Sequence, residues 1–435
     1  MSRELHVLLY GRVVGQVTQT AQGGHTFSYD RGYLSTPDAT PLSLAMPLSA
    51  DSYPRKRIVP WMLGLLPDRG EVRDRWAQRF GVSPENPFAL LEHMGLDCAG
   101  AVQFVTGAVE AAASEAELIE LDEAAIGARL SALRGDPDAW TVSGERWSLA
   151  GAQAKFALAR DRAGRWYEAM GAAPSTHIVK PGVAQYRDQA LNEHICMRTA
   201  VRLGLSAAPT ELTEFAGQPA LVVARYDRRR VRDSEEILRV HQEDMCQAMS
   251  VYPTKKYESS GGPTAVRIAS LLATRSSASV DDVRSFVRAV AYNYLIGAPD
   301  AHAKNYSVLL AGSEVRSAPL YDVASAFPYE PTRADHELDE AAMAIGGRRR
   351  FGTVEGRHWE RLARECQVDG EWLRGEISVM CSRIPDAMAT EFAPYAASHP
   401  QLRERMLTAV ESHAVRSAGA LDSRQASAWT SPVPA

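Results

Sequence analysis

The chain reads as an α+β protein of two or three packed units: a small α+β module first, then a strand-rich middle, then an all-helical C-terminal part. Three observations predict this class. Its 435 residues exceed the roughly 100–200 that one core usually organises. Short apolar runs closed by glycine turns recur around residues 5–34 and 156–180. Helical periodicity dominates residues 283–295 and 355–416. Hydrophobic residues make up 45% and charged residues 23%, ordinary globular values that exclude wholesale disorder. Lys and Arg number 48 against 53 Asp and Glu, and the resulting charge of −5 argues against a chain that coats nucleic acid or an anionic membrane. A local basic patch remains compatible with that balance.

The five cysteines, Cys98, Cys196, Cys246, Cys366 and Cys381, are scattered without a C-x-x-C pair. They predict buried free thiols in a reducing compartment rather than disulfides or a zinc cage. No run reaches the ~18 apolar residues of a membrane span. The run Leu5–Tyr10 is interrupted by His6 and too short for a signal-peptide core, so a cytoplasmic location is expected.

Taken in order, Leu5–Tyr10 and Val13–Val17 flank Gly11-Arg12 as a hairpin, Phe27–Leu34 reads as a further strand, and helices are expected near Trp61–Leu66 and Asn86–His93. Nothing in this module has catalytic spacing, and a packing or docking role is expected. Ala108–Ala113 together with Glu110, Glu115, Glu117, Glu120, Asp122 and Glu123 forms an acidic linker. It runs into a surface helix, Glu123–Leu133, stopped by Gly135-Asp136-Pro137. Trp147–Lys155 is a small-residue loop feeding a strand, Phe156–Arg160, and Asp161–Gly164 turns the chain into Arg165–Met170. His177–Lys180 is a short strand ended by Pro181-Gly182, followed by a helix with Leu191, Ile195, Cys196, Ala200 and Leu203 on one face. A strongly amphipathic helix carries Val283, Phe286, Val287, Val290, Ala291, Tyr294 and Leu295, with Gly297 suited to a left-handed cap. Tyr306–Leu310 is a strand, and Leu320-Tyr321-Asp322 ends the next element. Residues 355–416 are helical around Trp359, Leu362, Trp372, Ile377 and Met380, and Ser417–Ala435 is read as a frayed tail. The division is therefore 1–108, 109–139, 140–245, 246–416 and 417–435.

Asp300, Asn305 and Asp322 each sit just beyond a regular element, where side chains can converge on a ligand. Two acids and an amide suit Mg2+, which prefers a few oxygen ligands plus phosphates. The interval from Asp300 to Asn305 equals that between Asp and Asn in the protein-kinase catalytic loop, and Asp322 falls where a metal-chelating Asp would follow. Alone, such a pair also suits turn formation. Lys180 on a strand with Glu193 on the next helix is the order in which kinases present a phosphate-contacting lysine and its carboxylate partner. Ser148–Lys155 offers small residues whose backbone N–H groups could meet phosphate, though a tight turn before a strand explains it equally.

Several motifs in order carry a family resemblance. They are Ser148-Leu149-Ala150-Gly151-Ala152-Gln153-x-Lys155, Gln242–Gln247, Lys256-Tyr257-Glu258-x-x-Gly261-Gly262-Pro263, Asp300–Asn305 and Tyr321-Asp322-Val323-x-Ser325-Ala326. Across nearly the whole chain the sequence resembles the HipA-type toxin kinases. The resemblance implies a bilobal protein-kinase-like fold, with residues 140–245 as N-lobe and 246–416 as C-lobe. It implies a serine/threonine protein kinase using ATP and Mg2+, acting as the toxin of a type II toxin–antitoxin pair. It further implies a translation component as substrate (glutamyl-tRNA synthetase in the best-known members), a HipB-like helix-turn-helix antitoxin, and repression of the operon by their complex on DNA.

Carried over, Asp300 matches the catalytic Asp, Asn305 and Asp322 the Mg2+ ligands, and Lys180 the phosphate-contacting lysine. Ala150, Gly151, Ala152, Gln153, Ala154 and Lys155 match the loop over the phosphates, Arg225 and Tyr226 the hinge whose backbone holds adenine, and Gln242 and His302 nucleotide-site neighbours. Ser148 matches the autophosphorylated serine, where about 1.5–2 added negative charges would switch the enzyme off. Two positions depart from the pattern: Ala224 stands where a Glu is common at the hinge, and Ala154 where a charged residue is common in the loop. A catalytically silent corepressor and a small-molecule kinase are the alternative readings. The basic triplets Arg228–Arg230 and Arg348–Arg350 read first as solvated loops, the second also as a possible DNA contact.

Overall fold

Alternating apolar and polar residues in the first thirty positions build an antiparallel sheet. β1 (Arg3–Leu9) and β2 (Arg12–Gln19) form the expected hairpin, with Tyr10 and Gly11 both at positive φ. β3 (His25–Tyr29) pairs with β2. The strand expected over 27–34 stops at Tyr29, because Asp30 accepts the Tyr33 amide and starts a one-turn helix, α1 (Arg31–Leu34). β4 (Tyr53–Pro54) leads into α2 (Arg55–Gly64), which buries Ile58, Trp61 and Met62. α3 (Gly70–Phe80) carries five charged residues in eleven, and only Val72, Trp76 and Ala77 are buried. α4 (Pro87–Met94) opens on an Asn86 cap with proline at its first position. β5 (Val102–Val105) closes a five-stranded sheet in the order β4-β3-β2-β1-β5. The computed structural model describes residues 2–107, 116–142, 144–329 and 336–421, so Ala108–Ala113 and everything beyond Leu421 lie outside the described residues.

The acidic segment expected as a linker contains a strand. β6 (Glu117–Leu121) is the edge of a six-stranded sheet, its acids exposed along an unpaired side. α5 (Glu123–Gly135) follows an Asp122 cap, and the expected surface helix buries Ile126, Leu130 and Leu133. β7 (Phe156–Arg160), β8 (Trp166–Met170) and β9 (His177–Lys180) follow, then α6 (Gln189–Arg202), β10 (Thr210–Phe215) and β11 (Gln218–Ala224). The sheet order is β10-β11-β9-β7-β8-β6, which places β9 centrally. One apolar core joins this sheet to the N-terminal module: Trp61 and Phe104 share it with Trp140, Trp147, Phe156 and Val222.

β12 (Arg228–Arg230) and β13 (Ile237–Arg239) form a hairpin, and β14 (His241–Asp244) runs into α7 (Met245–Ala248). α8 (Ala265–Arg275) and α9 (Ser279–Leu295) are followed by β15 (Ser307–Ala311) and β16 (Glu314–Ser317), which complete a three-stranded sheet with β14. Gly297 adopts the predicted left-handed conformation, φ +67°, and lets the Ala298 amide reach the Asn293 carbonyl at 2.8 Å. β17 (Glu340–Ile345) and β18 (Arg348–Arg350) precede α10 (Gly356–Glu365), α11 (Gly370–Phe392) and α12 (Pro400–Leu421). The tail expected to fray from Ser417 is still helical through Leu421. Ser417 and Leu421 are buried in the last turns of α12, and the Leu421 carbonyl accepts from Arg374 at 2.9 Å. A second core gathers α6 with α8–α12, so the chain has two lobes with α6 between them. All five cysteines are buried free thiols. Among the described residues no helix is long and apolar enough to cross a membrane.

Arg228–Arg230 is not a solvated loop. The Arg228 guanidinium is buried and meets Asp97 at 2.7 Å and Asp227 at 3.1 Å. Arg225 joins the same pair of acids, at 3.3 Å from Asp97 and 2.9 Å from Asp227, and Arg239 reaches Asp97 at 3.2 Å. Asp97 also accepts from the Ser175 hydroxyl at 2.6 Å. The three guanidiniums hold its carboxyl well below the usual range despite burial. This cluster ties the N-terminal module to the six-stranded lobe. Asp97→Ala leaves three guanidiniums short of a counter-charge and is expected to lower stability by about 3–5 kcal/mol, read from urea unfolding at pH 7. Because the folded pKa is depressed, that contribution exists above the unfolded value near ~3.9 and fades as pH falls below it, so the two proteins should converge in acid.

Candidate active site

Lys180 ends β9, beside the proline that stops the strand. Its ammonium lies 2.6 Å from Glu193 Oε1 on α6 and 2.6 Å from Asp322 Oδ1, with almost no solvent exposure. The two carboxylates raise the Lys180 pKa against the desolvation that would lower it, so the ammonium stays charged. Lys180 and Lys155 together hold Asp322 ionised, whereas burial beside Asp322 pushes Glu193 up. Asp322 sits at φ +59°, a left-handed conformation that is uncommon outside glycine. Its segment is held by Asn192, the residue before Glu193. The Asn192 amide donates to the Ser325 carbonyl at 2.7 Å and accepts the Ser325 amide at 3.0 Å. One turn of α6 therefore fixes both partners of Lys180.

The loop after α9 carries Asp300, whose carboxylate is half-exposed and receives the Tyr257 hydroxyl. The Asn305 side-chain amide donates to the Asp300 carbonyl at 2.7 Å, closing the loop on itself. His302 lies 3.6 Å from Asp300, and burial lowers its pKa, favouring the neutral ring. Lys304, buried between these residues, approaches Asp68 at 3.3 Å and Asp244 at 3.5 Å.

The small-residue loop crosses above. Gly151 adopts φ +102°, and a Cβ there would stand 2.6 Å from the Lys155 ammonium. Lys155 donates to the Ala150 carbonyl at 2.9 Å and lies over the Trp140 ring, with its pKa lowered to about 8 by burial. Gln153 is anchored to Gln189 at 3.0 Å. Ser148 faces the other way: it is fully buried, and its hydroxyl donates to the Leu65 carbonyl at 2.8 Å.

Asp300, Asn305, Asp322, Lys180, Ala150–Lys155, Arg225, Tyr226, Gln242 and His302 all line one cavity of about 650 Å³ between the lobes. Ser148 and Arg348–Arg350 are not among its lining residues. At the expected hinge, the Arg225 amide donates to the Thr176 carbonyl at 2.9 Å and the Arg225 carbonyl accepts the Arg228 amide at 3.2 Å. The side chain of Tyr226 is anchored on Gln242, to which its hydroxyl donates. Arg348 and Arg350 are exposed, and Arg349 pairs with Glu340 at 2.5 Å.

Sequence reasoning missed Asp68, Asn192 and the roles of Lys256 and Lys304. Lys304, a cation between an acid and an amide in a loop, was the available signal, since burying it demands a counter-ion. Asp68 offered none, because its partner Lys256 is 188 residues away. The module expected to carry no chemistry therefore supplies part of the site wall.

A central-strand lysine paired to a helix carboxylate, facing an Asp-Asn loop and a second Asp across an interlobe cleft, defines a two-lobed fold of the protein-kinase type. The chain belongs to the HipA family of toxin kinases. Residues 147–388 match the HipA-like C-terminal domain and residues 5–105 the HipA N-terminal domain. It is 37% identical over 392 residues to the putative kinase Y4mE of Sinorhizobium fredii, covering 89% of this chain and 91% of that one. It is 33% identical over 321 residues to the serine/threonine-protein kinase toxin HipA of Shewanella oneidensis, covering 70% of each. A structure of the Shewanella oneidensis HipA, HipB and operator DNA complex superposes with a TM-score of 0.83 at 26% identity, covering 96% of this chain and 98% of that chain. The expected α+β, kinase-like fold is thereby established.

Lys180→Met leaves Glu193 and Asp322 facing each other without a cation, an expected loss of about 3–5 kcal/mol at pH 7.5. Losing the ammonium raises both carboxyl pKa values in the folded state. The folded variant then binds more protons than the unfolded chain, and its deficit should shrink as pH falls toward ~5. Melting curves of variant and parent at the two pH values measure this.

Proposed function

We propose that this protein is a serine/threonine protein kinase that uses ATP and Mg2+ and serves as the toxin of a type II toxin–antitoxin pair. The observation that carries the reading is Lys180 held between Glu193 and Asp322 in the cavity that also receives Asp300 and Asn305. Among the described residues no group of three or more His, Cys, Asp or Glu could hold a metal alone. Two oxygen donors, Asn305 and Asp322, nevertheless fit Mg2+, which completes its shell with water and phosphate. When bound, Mg2+ would neutralise charge on the transferring phosphoryl group.

The chain's own residues supply the rest. Lys180 and Lys155 contribute positive charge to phosphate oxygens, and the Ala150–Lys155 backbone covers them. Asp300 orients the attacking serine or threonine hydroxyl and takes its proton. Its half-exposed carboxylate suits a protein substrate arriving from solvent. Tyr226, Gln242 and His302 line the nucleotide end.

The protein substrate is a translation component, an aminoacyl-tRNA synthetase by family resemblance and glutamyl-tRNA synthetase in particular, whose modification halts growth and favours persistence. The antitoxin is a HipB-like helix-turn-helix protein, and the pair represses its own operon. The Shewanella oneidensis complex supports that partnership. Exposed Arg348 and Arg350 on the β17–β18 hairpin are available to operator phosphates within such a complex.

Ser148 is the self-phosphorylation site. Its burial against Leu65 means that the loop must open before the hydroxyl can be modified. A phosphoserine carrying about −1.5 to −2 charges cannot return to a carbonyl partner, so the modified loop stays out and activity stops.

Incubation with [γ-³²P]ATP and Mg2+, with and without cytosolic extract, tests the reading. Label is expected on this protein at Ser148 and on a cytosolic protein. Ser148→Ala should lose only the self-label, and Asp300→Gln should lower both rates by about 10²–10⁴. Label on neither protein would overturn the kinase reading in favour of a silent corepressor, and label on a small molecule alone would make it a small-molecule kinase.

A further inference from the structure

The last turn of α2 and the residues after it reach into the cleft from the N-terminal module. Within five residues this segment touches three parts of the site. The Gly64 carbonyl accepts from the Lys304 ammonium at 3.2 Å, and the Leu65 carbonyl accepts from Ser148. Pro67 bridges Gly151, and the Asp68 amide donates to the Gly151 carbonyl at 2.9 Å. The Asp68 carboxylate meets Lys256 at 2.9 Å and Lys304 at 3.3 Å. The segment is packed tightly against the C-lobe, since a Cβ on Gly64 would stand 2.5 Å from the Gln247 side chain.

Both lysines belong to segments that touch the reacting acid. Lys304 lies between Asp300 and Asn305 in one short loop. The Lys256 carbonyl accepts the Ala303 amide at 3.2 Å, and the next residue, Tyr257, donates its hydroxyl to Asp300. The only other carboxylate paired with Lys304 among the described residues is Asp244, at 3.5 Å. Removing Asp68 would leave Lys304 with Asp244 alone and take from Lys256 its one carboxylate partner among the described residues, and in a low-dielectric site the two largely buried ammoniums would repel each other. The segments they anchor are those whose placement sets the Asp300–Asn305 geometry.

We propose that Asp68, contributed by the N-terminal module, is a positioning residue for phosphoryl transfer: its carboxylate fixes the Asp300–Asn305 loop through Lys304 and Lys256. It touches neither the reacting hydroxyl nor the phosphates and acts through the two lysines. The proposal rests on the kinase reading for its catalytic consequence, and its structural part stands independently. The Asp68 backbone amide would still hold Gly151 after side-chain substitution. Nucleotide affinity should therefore change less than turnover, the signature of a misplaced reacting group rather than a lost binding group.

The test uses full-length protein and its Asp68→Asn, Asp68→Ala and Asp68→Glu variants. Initial rates of self-phosphorylation against ATP concentration should give a kcat lowered by about ten- to a hundredfold in Asp68→Asn and Asp68→Ala. The KM for ATP should move less than about threefold, and Asp68→Glu should recover part of the rate. Amide hydrogen exchange of the unliganded chains gives a second reading that needs no activity. Exchange at residues 300–306 should accelerate in Asp68→Asn while the α9 amides of residues 286–294 stay protected. Unchanged exchange and a kcat within twofold of the parent would overturn the proposal, as would a rise in KM alone or accelerated exchange spread equally over α9. If the parent itself transfers no phosphate, the kinase reading falls, and the exchange pattern alone decides the role of Asp68.

Discussion

A buried carboxylate and a partly buried one, from different parts of the chain, share one ammonium, and the arrangement of both lobes follows from satisfying it. Lys180 is supplied by the central strand of the six-stranded sheet, Glu193 by the helix that packs against the C-lobe core, and Asp322 by a loop of the C-lobe. Desolvating three charges is unfavourable unless every one is paired, so the lobes cannot separate far in the unliganded protein without exposing or orphaning a charge. Asn192 adds a neutral constraint at the same point. Its two hydrogen bonds to Ser325 bring the Asp322 segment to the helix whatever the protonation of the acids.

The N-terminal module works by the same rule at two further points. Asp97 gathers three arginines of the strand-rich lobe, and Asp68 gathers two lysines of the other. Each acid is nearly buried and each is matched by two or more cations. The module therefore spans the cleft from the side, and the site has three walls where a bare pair of lobes would have two. The small-residue loop Ala150–Lys155 and the Ser148 that precedes it are clasped against this third wall through Ser148 and Gly151.

How much of this was legible depended on how far apart the partners lie in sequence. The hairpin at Gly11, the amphipathic helix ending at Gly297 and the order of Lys180, Glu193, Asp300, Asn305 and Asp322 were readable, because periodicity and spacing are local properties. Boundaries failed where a single side chain decided them. Asp30 caps a helix turn that ends the strand expected to reach Leu34, and β6 forms inside a stretch whose acids suggested a linker, because only pairing with β8 gives those residues a role. The setting of Arg228 was misread for a related reason. A run of arginines looks solvated unless the acids that bury its first member can be seen, and Asp97 lies 131 residues from Arg228. Asp68 was invisible on the same grounds.

The apolar core shared by the module and the strand-rich lobe extends from Leu5 to Val222. Neither the segment matching the N-terminal family domain nor the one matching the C-terminal family domain contains a complete interior, since Trp140 falls between them. During synthesis that core cannot close until more than half of the chain has left the ribosome, and the Asp300–Asn305 loop follows later still. Contacts so distant in sequence make for slow folding. A nascent chain of this protein thus lacks an assembled cleft for most of its elongation, and proteolytic nicking within the first 220 residues would strip hydrophobic cover from both units at once. Selection for a quickly cleared or tightly controlled product could act on that interior as readily as on the residues that line the cleft.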